Sequence, residues 1–252
     1  MTQKPIKSRL DILLVNRGLV ASREQARGLI MGGKVFAYGI RVDKPGTQIP
    51  SSAELEIKEP LPYVSRGGLK LAAALDHFGI DPNGLTILDA GASTGGFTDC
   101  LLQRGAARII AVDVGYGQFH WKLRSDSRVK LIERTNIRYL ERNAIGERID
   151  AAVADLSFIS LKLVFSKFAE FLPLGAWLVP LVKPQFEVGR SEVGKNGVVR
   201  DRKTIAKAVS NICQAAMDSG FSPLNQIESP VRGPKGNREF LLHLELIAKT
   251  TM

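Results

Sequence analysis

The stretch LDAGASTGGFTD at positions 88–99 constrains the fold of this chain more than any other. An apolar run, Leu85-Thr86-Ile87-Leu88, leads into it and reads as a buried strand. Gly91, Gly95 and Gly96 follow, and then Phe97, Leu101 and Leu102 recur at helical spacing. Strand, glycine turn and helix in that order make the corner on which α/β folds hold nucleotide-type ligands. Glycine has no side chain to keep a ligand away from the backbone. The spacing disfavours two common versions of this corner. Gly91 to Gly95 is G-x-x-x-G rather than the G-x-G-x-x-G of dehydrogenases, and no Lys-Ser/Thr follows as in a phosphate-binding loop. A corner without phosphate machinery suits a cofactor without phosphate, such as S-adenosylmethionine. Taken alone, these residues also fit a tight turn in an ordinary α/β domain.

Around this corner the chain reads as two domains joined by a short connection. Residues 1–58 form a small α+β unit. Leu10, Leu13 and Leu14 suggest a short helix, and Ser22 sits at the N-cap of a second helix carrying Ala26, Leu29 and Ile30. Short strands are expected at 34–38, 40–42 and 54–57, with a loop through Pro45, Gly46 and Pro50. Residues 59–65, with Pro60 and Pro62, read as a linker. A helix opens at Arg66-Gly67-Gly68, with Lys70 at the border of its apolar stripe.

From there strands and helices alternate. Strands are expected at 85–88, 108–113, 129–133, 150–155, 176–182, 224–228 and 240–246, with helices at 161–172 and 201–217. Residues 186–200 read as a mobile, glycine-rich loop, and 232–238 as a basic one. The alternation implies a mostly parallel, Rossmann-like sheet with helices on both faces, whose ligands sit at the C-terminal strand ends. Asp113 ends the second strand, 24 positions after Asp89, where an acid accepts hydrogen bonds from ribose hydroxyls. Asn136 lies just beyond the third strand.

Charge bears on partners. A net charge of +10 and a pI near 9.7 favour nucleic acid or another polyanion. Arg23 and Arg27 lie four apart on one helix, with Lys34, Arg41 and Lys44 nearby, and Arg232 and Lys235 lie in the basic loop. Together they are candidate phosphate contacts. Two distant cysteines and three isolated histidines make no metal pattern. No apolar run reaches membrane-helix length, and the first residues lack a signal-peptide core, so a cytoplasmic protein is expected.

Two resemblances sharpen this reading. RLDILLVNRG and SREQARGLIMGGKVFAYGIRVDK resemble the small αL-type RNA-binding domain shared by a ribosomal protein, pseudouridine synthases and tyrosyl-tRNA synthetases. The chain departs from that pattern at Ala37-Tyr38, where Val-Asn is common. PYVSRGGLKL, LDAGASTGGFTD, VADLSFISL, LVKPQFE and GNREFLLHL resemble the TlyA (haemolysin A) family of ribosomal RNA methyltransferases, whose catalytic domain is FtsJ-like.

That resemblance implies a Rossmann-like methyltransferase sheet with its last strand antiparallel, over residues 66–252. It also implies a Lys-Asp-Lys-Glu tetrad for ribose 2′-O-methylation, here Lys70, Asp155, Lys183 and Glu239. The implied substrate is cytidine in ribosomal RNA or ribosomal subunits, and the implied cofactor S-adenosylmethionine, held by Asp89, Gly91, Ser93, Gly95, Gly96, Asp113 and Asn136. The chemistry is coherent. A ribose hydroxyl is a poor nucleophile until deprotonated, and a lysine serves as base only when its neutral form is accessible. Lys183 is the candidate base and Lys70 the neighbouring cation; Asp155 and Glu239 would orient the two amines. A non-catalytic RNA-binding protein with a degenerate methyltransferase domain is the alternative, and cofactor binding by calorimetry separates the two.

Overall fold

Leucines at 10, 13 and 14 share one face of a short helix, and that spacing builds the core of the N-terminal unit. The computed structural model describes residues 6–58 and 61–249 and divides into two units, Met1–Leu61 and Pro62–Met252. In the first, helix α1 (Leu10–Asn16) packs on α2 (Arg23–Met31) through Leu10, Leu13, Leu14, Ala26 and Ile30. Ser22 caps α2, its hydroxyl accepting from the Gln25 N–H at 3.1 Å. Strand β1 (Lys7–Arg9) comes before α1, and β2 (Val35–Ala37), β3 (Ile40–Arg41), β4 (Gln48–Pro50) and β5 (Leu55–Ile57) follow α2. β2 is the centre of a three-stranded sheet between β3 and β5.

The Tyr38-Gly39 turn joins β2 to β3 with both residues at positive φ, +52° and +73°. Two-residue hairpin turns favour that conformation, but a tyrosine adopts it at a steric cost. β1 pairs antiparallel with β4, where Pro45, Gly46 and Pro50 point to a loop. Pro50 is tolerated because a two-stranded ribbon has open edges.

The second unit is a seven-stranded sheet. Its strands are β6 (Thr86–Ala90), β7 (Arg108–Val112), β8 (Val129–Ile132), β9 (Ala151–Ala154), β10 (Trp177–Val182), β11 (Phe221–Glu228) and β12 (Phe240–Leu246). Their order is β11-β12-β10-β9-β6-β7-β8. β12 runs antiparallel to both β10 and β11; the pairs from β10 across to β8 are all parallel. Successive residues of β6 serve opposite faces. Ile87 joins the core under α3 (Gly67–Phe78) and α4 (Gly96–Gln103). Leu88 and Ala90 join the core containing Phe165 and Phe168. No helix among the described residues is long and apolar enough to cross a membrane.

Register brings the functional segments to one edge. Ala90 pairs with Ala154, so Gly91 sits beside Asp155; Val182 pairs with Phe240, so Lys183 sits beside Glu239.

Three further segments differ from their sequence reading. Residues 161–172 are a 3₁₀ turn, Leu161–Leu163, followed by a short helix, Phe165–Phe171, broken at Val164 (φ −126°). Residues 186–200 are not featureless. They include the end of a helical turn, Pro184–Glu187, and two 3₁₀ turns; Val198 and Val199 are buried, and the Val199 N–H donates to Asn237 Oδ1 at 3.1 Å. In the expected linker, Glu59 and Pro60 lie outside the described residues. Tyr63 and Val64 pack against the core under α3, and the Val64 N–H donates to Asp99 Oδ2 at 2.8 Å.

Candidate active site

Each tetrad residue is placed by an element end. Lys70 lies in the first turn of α3, Asp155 follows β9, Lys183 follows β10, and Glu239 precedes β12. All four line one cavity of about 290 Å³, with Ser65, Arg66, Gly96 and the Arg232–Pro234 turn. Lys70 Nζ is 2.6 Å from Glu239 Oε2, and Lys183 Nζ is 2.7 Å from Asp155 Oδ1. Lys70, Lys183 and Glu239 are buried, so both ion pairs work in a water-poor setting where charge interactions are strong. The Lys183–Asp155 contact is an ion pair approached off the hydrogen-bonding axis; the aligned donation from Lys183 goes to Ser157 Oγ at 2.7 Å. Glu239 Oε1 is buried without a hydrogen-bond partner among the described residues and abuts Gly233, where a Cβ would come within 2.0 Å of it. The RGPKGNR segment thus includes a glycine required by the tetrad itself.

A second, wider cavity of about 760 Å³ adjoins the first. Gly91, Ser93, Asp155 and Ser157 line both. Asp113 and Asn136 line the wide one, with apolar walls from Val112, Ile137, Leu156 and Leu163. Asp113 accepts from the Ser93 N–H (2.8 Å), the Gly115 N–H (2.6 Å) and Gln118 Nε2 (2.9 Å). Ser93 takes a left-handed conformation, φ +50°, to aim that N–H. Asn136 also caps a 3₁₀ turn, accepting from the Arg138 N–H at 3.0 Å.

Two expected ligand residues are placed elsewhere. Asp89 and Gly95 line neither cavity. Asp89 is fully buried, accepts from Thr98 Oγ1 at 2.6 Å, and has its Oδ1 unpartnered among the described residues. Burial pushes its carboxyl up to about 7; the Asp155 and Asp113 charges push the same way, and the Thr98 hydrogen bond opposes them. Gly95 is needed for packing, because a Cβ there would meet Leu123 at 2.4 Å and Phe119 at 3.0 Å. Gly91 does line both cavities, but its Cβ would also strike the Asp155 carbonyl oxygen at 2.6 Å. The corner is therefore glycine-rich largely so that protein can approach protein.

Sequence reasoning missed Ser157, Gln118, Gly233 and Glu187. Glu187 Oε1 accepts from the Leu161 N–H at 3.0 Å and its Oε2 from Ser160 Oγ at 2.5 Å, tying the loop after β9 to the segment after β10. Burial raises its carboxyl pKa against those two hydrogen bonds. Ser157 and Glu187 matter through partners 26 or 27 positions away, and Gln118 and Gly233 through nearer ones, Asp113 and Glu239.

In the N-terminal unit, Arg27, Arg41 and Lys44 are exposed and Lys34 is half-buried. Arg23 is more than a surface cation. Its Nε donates to Asp11 Oδ2 at 2.8 Å, and Arg9 donates to both Asp11 oxygens. Asp11 is fully buried, and Arg9 first, then Arg23, hold its carboxyl well below the usual range. Arg41 packs its side chain over Gly33. In the C-terminal unit Arg232 borders the tetrad cavity and Lys235 is exposed in the turn Pro234–Gly236.

Comparison with known proteins adds to this geometry. An FtsJ-like methyltransferase family model matches residues 63–246, and an S4 domain model matches residues 8–55. The chain is 48% identical over 240 residues to the 16S/23S rRNA (cytidine-2′-O)-methyltransferase TlyA of Mycobacterium tuberculosis H37Rv, covering 94% of this chain and 90% of that protein. It is 40% identical over 237 residues to Hemolysin A of Brachyspira hyodysenteriae, covering 93% and 98%. A solved structure from Streptococcus thermophilus that bears a hemolysin name superposes with a TM-score of 0.75 at 45% identity, covering 97% of this chain and 90% of that one.

Proposed function

This chain belongs to the FtsJ-like methyltransferase family and carries an N-terminal S4 domain, and from that premise we propose that it methylates ribose 2′-hydroxyls of ribosomal RNA with S-adenosylmethionine, with cytidine as the target nucleoside. The observation that carries the proposal is the union of two cavities at Asp155 and Ser157, one lined by Lys70, Asp155, Lys183 and Glu239 and the other by apolar side chains around Asp113.

The wide cavity fits the cofactor by its donor set. Its walls are largely apolar, the Asp113 carboxylate stands among them, and Arg138 is the one basic residue lining it among the described residues, a donor set that does not suit a polyphosphate. Asp113 would take the ribose hydroxyls and Asn136 would lie near the adenine. Gly91 and Ser93 would border the methionine portion. When bound, S-adenosylmethionine supplies an electrophilic methyl group on a positively charged sulfur.

The chain's own residues do the rest. Lys183 accepts the proton of the ribose 2′-hydroxyl at Nζ, so that oxygen becomes a competent nucleophile. Asp155 and Glu239 hold the two lysine amines in place, and Lys70 supplies a fixed positive charge beside the developing oxyanion. Much of the rate comes from holding oxygen and methyl carbon in line. The exposed cations of the S4 domain, together with Arg232 and Lys235, contact RNA phosphates, and the setting is the cytoplasm, where ribosomal subunits form.

Lys183→Ala is the direct test. Methyl transfer to undermethylated ribosomal subunits is lost while calorimetric binding of S-adenosylmethionine persists. Transfer retained in that variant removes Lys183 from the role of base.

A further inference from the structure

Ser157 stands at the junction of the two cavities, and the tetrad gives no account of it. Its Oγ accepts from Lys183 Nζ at 2.7 Å, and the Asp155 carboxylate is 2.7 Å from the same nitrogen. An amine nitrogen has four tetrahedral directions. In Lys183 one is spent on Cε. Ser157 takes one more, the aligned hydrogen bond, while the Asp155 carboxylate attracts the amine from off the hydrogen-bonding axis. With that N–H fixed the two remaining directions are fixed too; in the neutral amine the lone pair takes the one turned away from the carboxylate, which repels it.

We infer that Ser157 is a positioning residue for Lys183, setting the rotation about the Cε–Nζ bond so that the lone pair faces the ribose hydroxyl. The inference rests on the reading of Lys183 as base. With Asp155 alone, no aligned hydrogen bond sets the torsion, so the amine turns about Cε–Nζ and its lone pair sweeps through directions in which no hydroxyl lies. With the aligned hydrogen bond to Ser157 the rotation is fixed. Ser157 neither gains nor loses a proton in the step; the proton passes from the 2′-hydroxyl to Lys183 Nζ.

The loop that carries Ser157 is built to hold such a position. Asp155 anchors its start, its N–H donating to the Ala90 carbonyl at 2.9 Å. Glu187 holds its far end through Leu161 and Ser160. Between them, Phe158 sits at φ +64° with its ring 5.0 Å from that of Phe186. Glu187 belongs to the helical turn that begins directly after Lys183. The clamp on the positioning loop is therefore anchored in the turn that starts beside the base.

The experiment uses the full-length protein, undermethylated ribosomal subunits and a labelled methyl group, with Ser157→Ala, Ser157→Thr and Lys183→Ala in parallel. Ser157 is exposed to the cavities, so neither of its replacements disturbs a packed core. For Ser157→Ala, kcat falls by about ten- to a hundredfold, the scale on which a misdirected reacting group is felt. The KM for subunits and the affinity for S-adenosylmethionine stay within about twofold of wild type, because binding and positioning are separate. Ser157→Thr keeps the hydroxyl and recovers most of kcat. Wild-type kcat in Ser157→Ala overturns the inference, as does a loss confined to KM or cofactor affinity, or a Thr variant as slow as the Ala one. Activity in Lys183→Ala strikes the assignment of the base instead, so the two failures are told apart.

Discussion

Asp89 shows how far a single residue's position can differ from its motif. In the sequence it opens the glycine corner and reads as a ligand contact. In the fold it lies beneath the corner, on the β6 face turned toward α4, with Thr98 as its hydrogen-bond donor. Strand alternation carries the signal that would have found it, because Asp89 shares a face with Ile87. Its carboxyl is pushed up to about 7 in the folded chain, against about 4 for an unfolded aspartate. The folded state therefore binds the extra proton between those values. The stability this contributes is complete below the unfolded pKa and is lost as pH rises through 7. Asp89→Asn removes that dependence. Denaturant midpoints of the wild type decline from pH 5 to pH 8 relative to those of the variant; parallel profiles would show that Asp89 does not titrate in this range. By contrast, the four residues that line the narrower cavity, Lys70, Asp155, Lys183 and Glu239, could be picked out from motifs, because each sits beside a strong local pattern. Ser157 could not be, since its hydrogen bond comes from a lysine 26 positions away.

At the scale of elements, the sheet could be read from alternating apolar runs, and β12 at 240–246 matches its expected bounds. What could not be read were elements stabilised from afar. Val199 is fixed by Asn237, and the break at Val164 follows a turn whose first N–H is capped by Glu187. Neither partner is local. The contact of α3 with α4 is an element-scale property of the same kind. A Cβ on Gly96 would lie 3.0 Å from the Gly68 nitrogen and 3.1 Å from Gly67 Cα, both backbone atoms that cannot swing aside. Gly96→Ala forces the two helix starts apart. We expect a loss of about 1–3 kcal/mol in stability by chemical denaturation, the usual range for overpacking. Methyl transfer falls with it, since Lys70 rides on α3 and must still reach Glu239. A variant as stable as wild type would mean that the helices have slack there.

For the whole molecule, division of labour is the testable property. The N-terminal unit has its own core, built from Leu10, Leu14, Ile30 and Val35, and the methyltransferase unit has two others, one on each face of its sheet. Removing residues 1–58 should therefore leave cofactor binding intact while raising the KM for ribosomal subunits by about tenfold or more at moderate salt, as phosphate contacts are lost. The salt dependence of the KM becomes shallower in the same measurement. An unchanged KM and salt slope would assign RNA recognition to the catalytic unit alone.

The antiparallel seat of β12 between β10 and β11 has a consequence for biosynthesis. Glu239 is carried by the last strand of the sheet, yet its partner Lys70 is 169 positions earlier. During translation the first lysine is made long before its carboxylate exists, and the slot for the closing strand stays open meanwhile. The catalytic edge is complete only once that strand has emerged and paired with β10 and β11. A nascent chain that lacks this strand therefore has a lysine at its catalytic edge with no carboxylate to hold it.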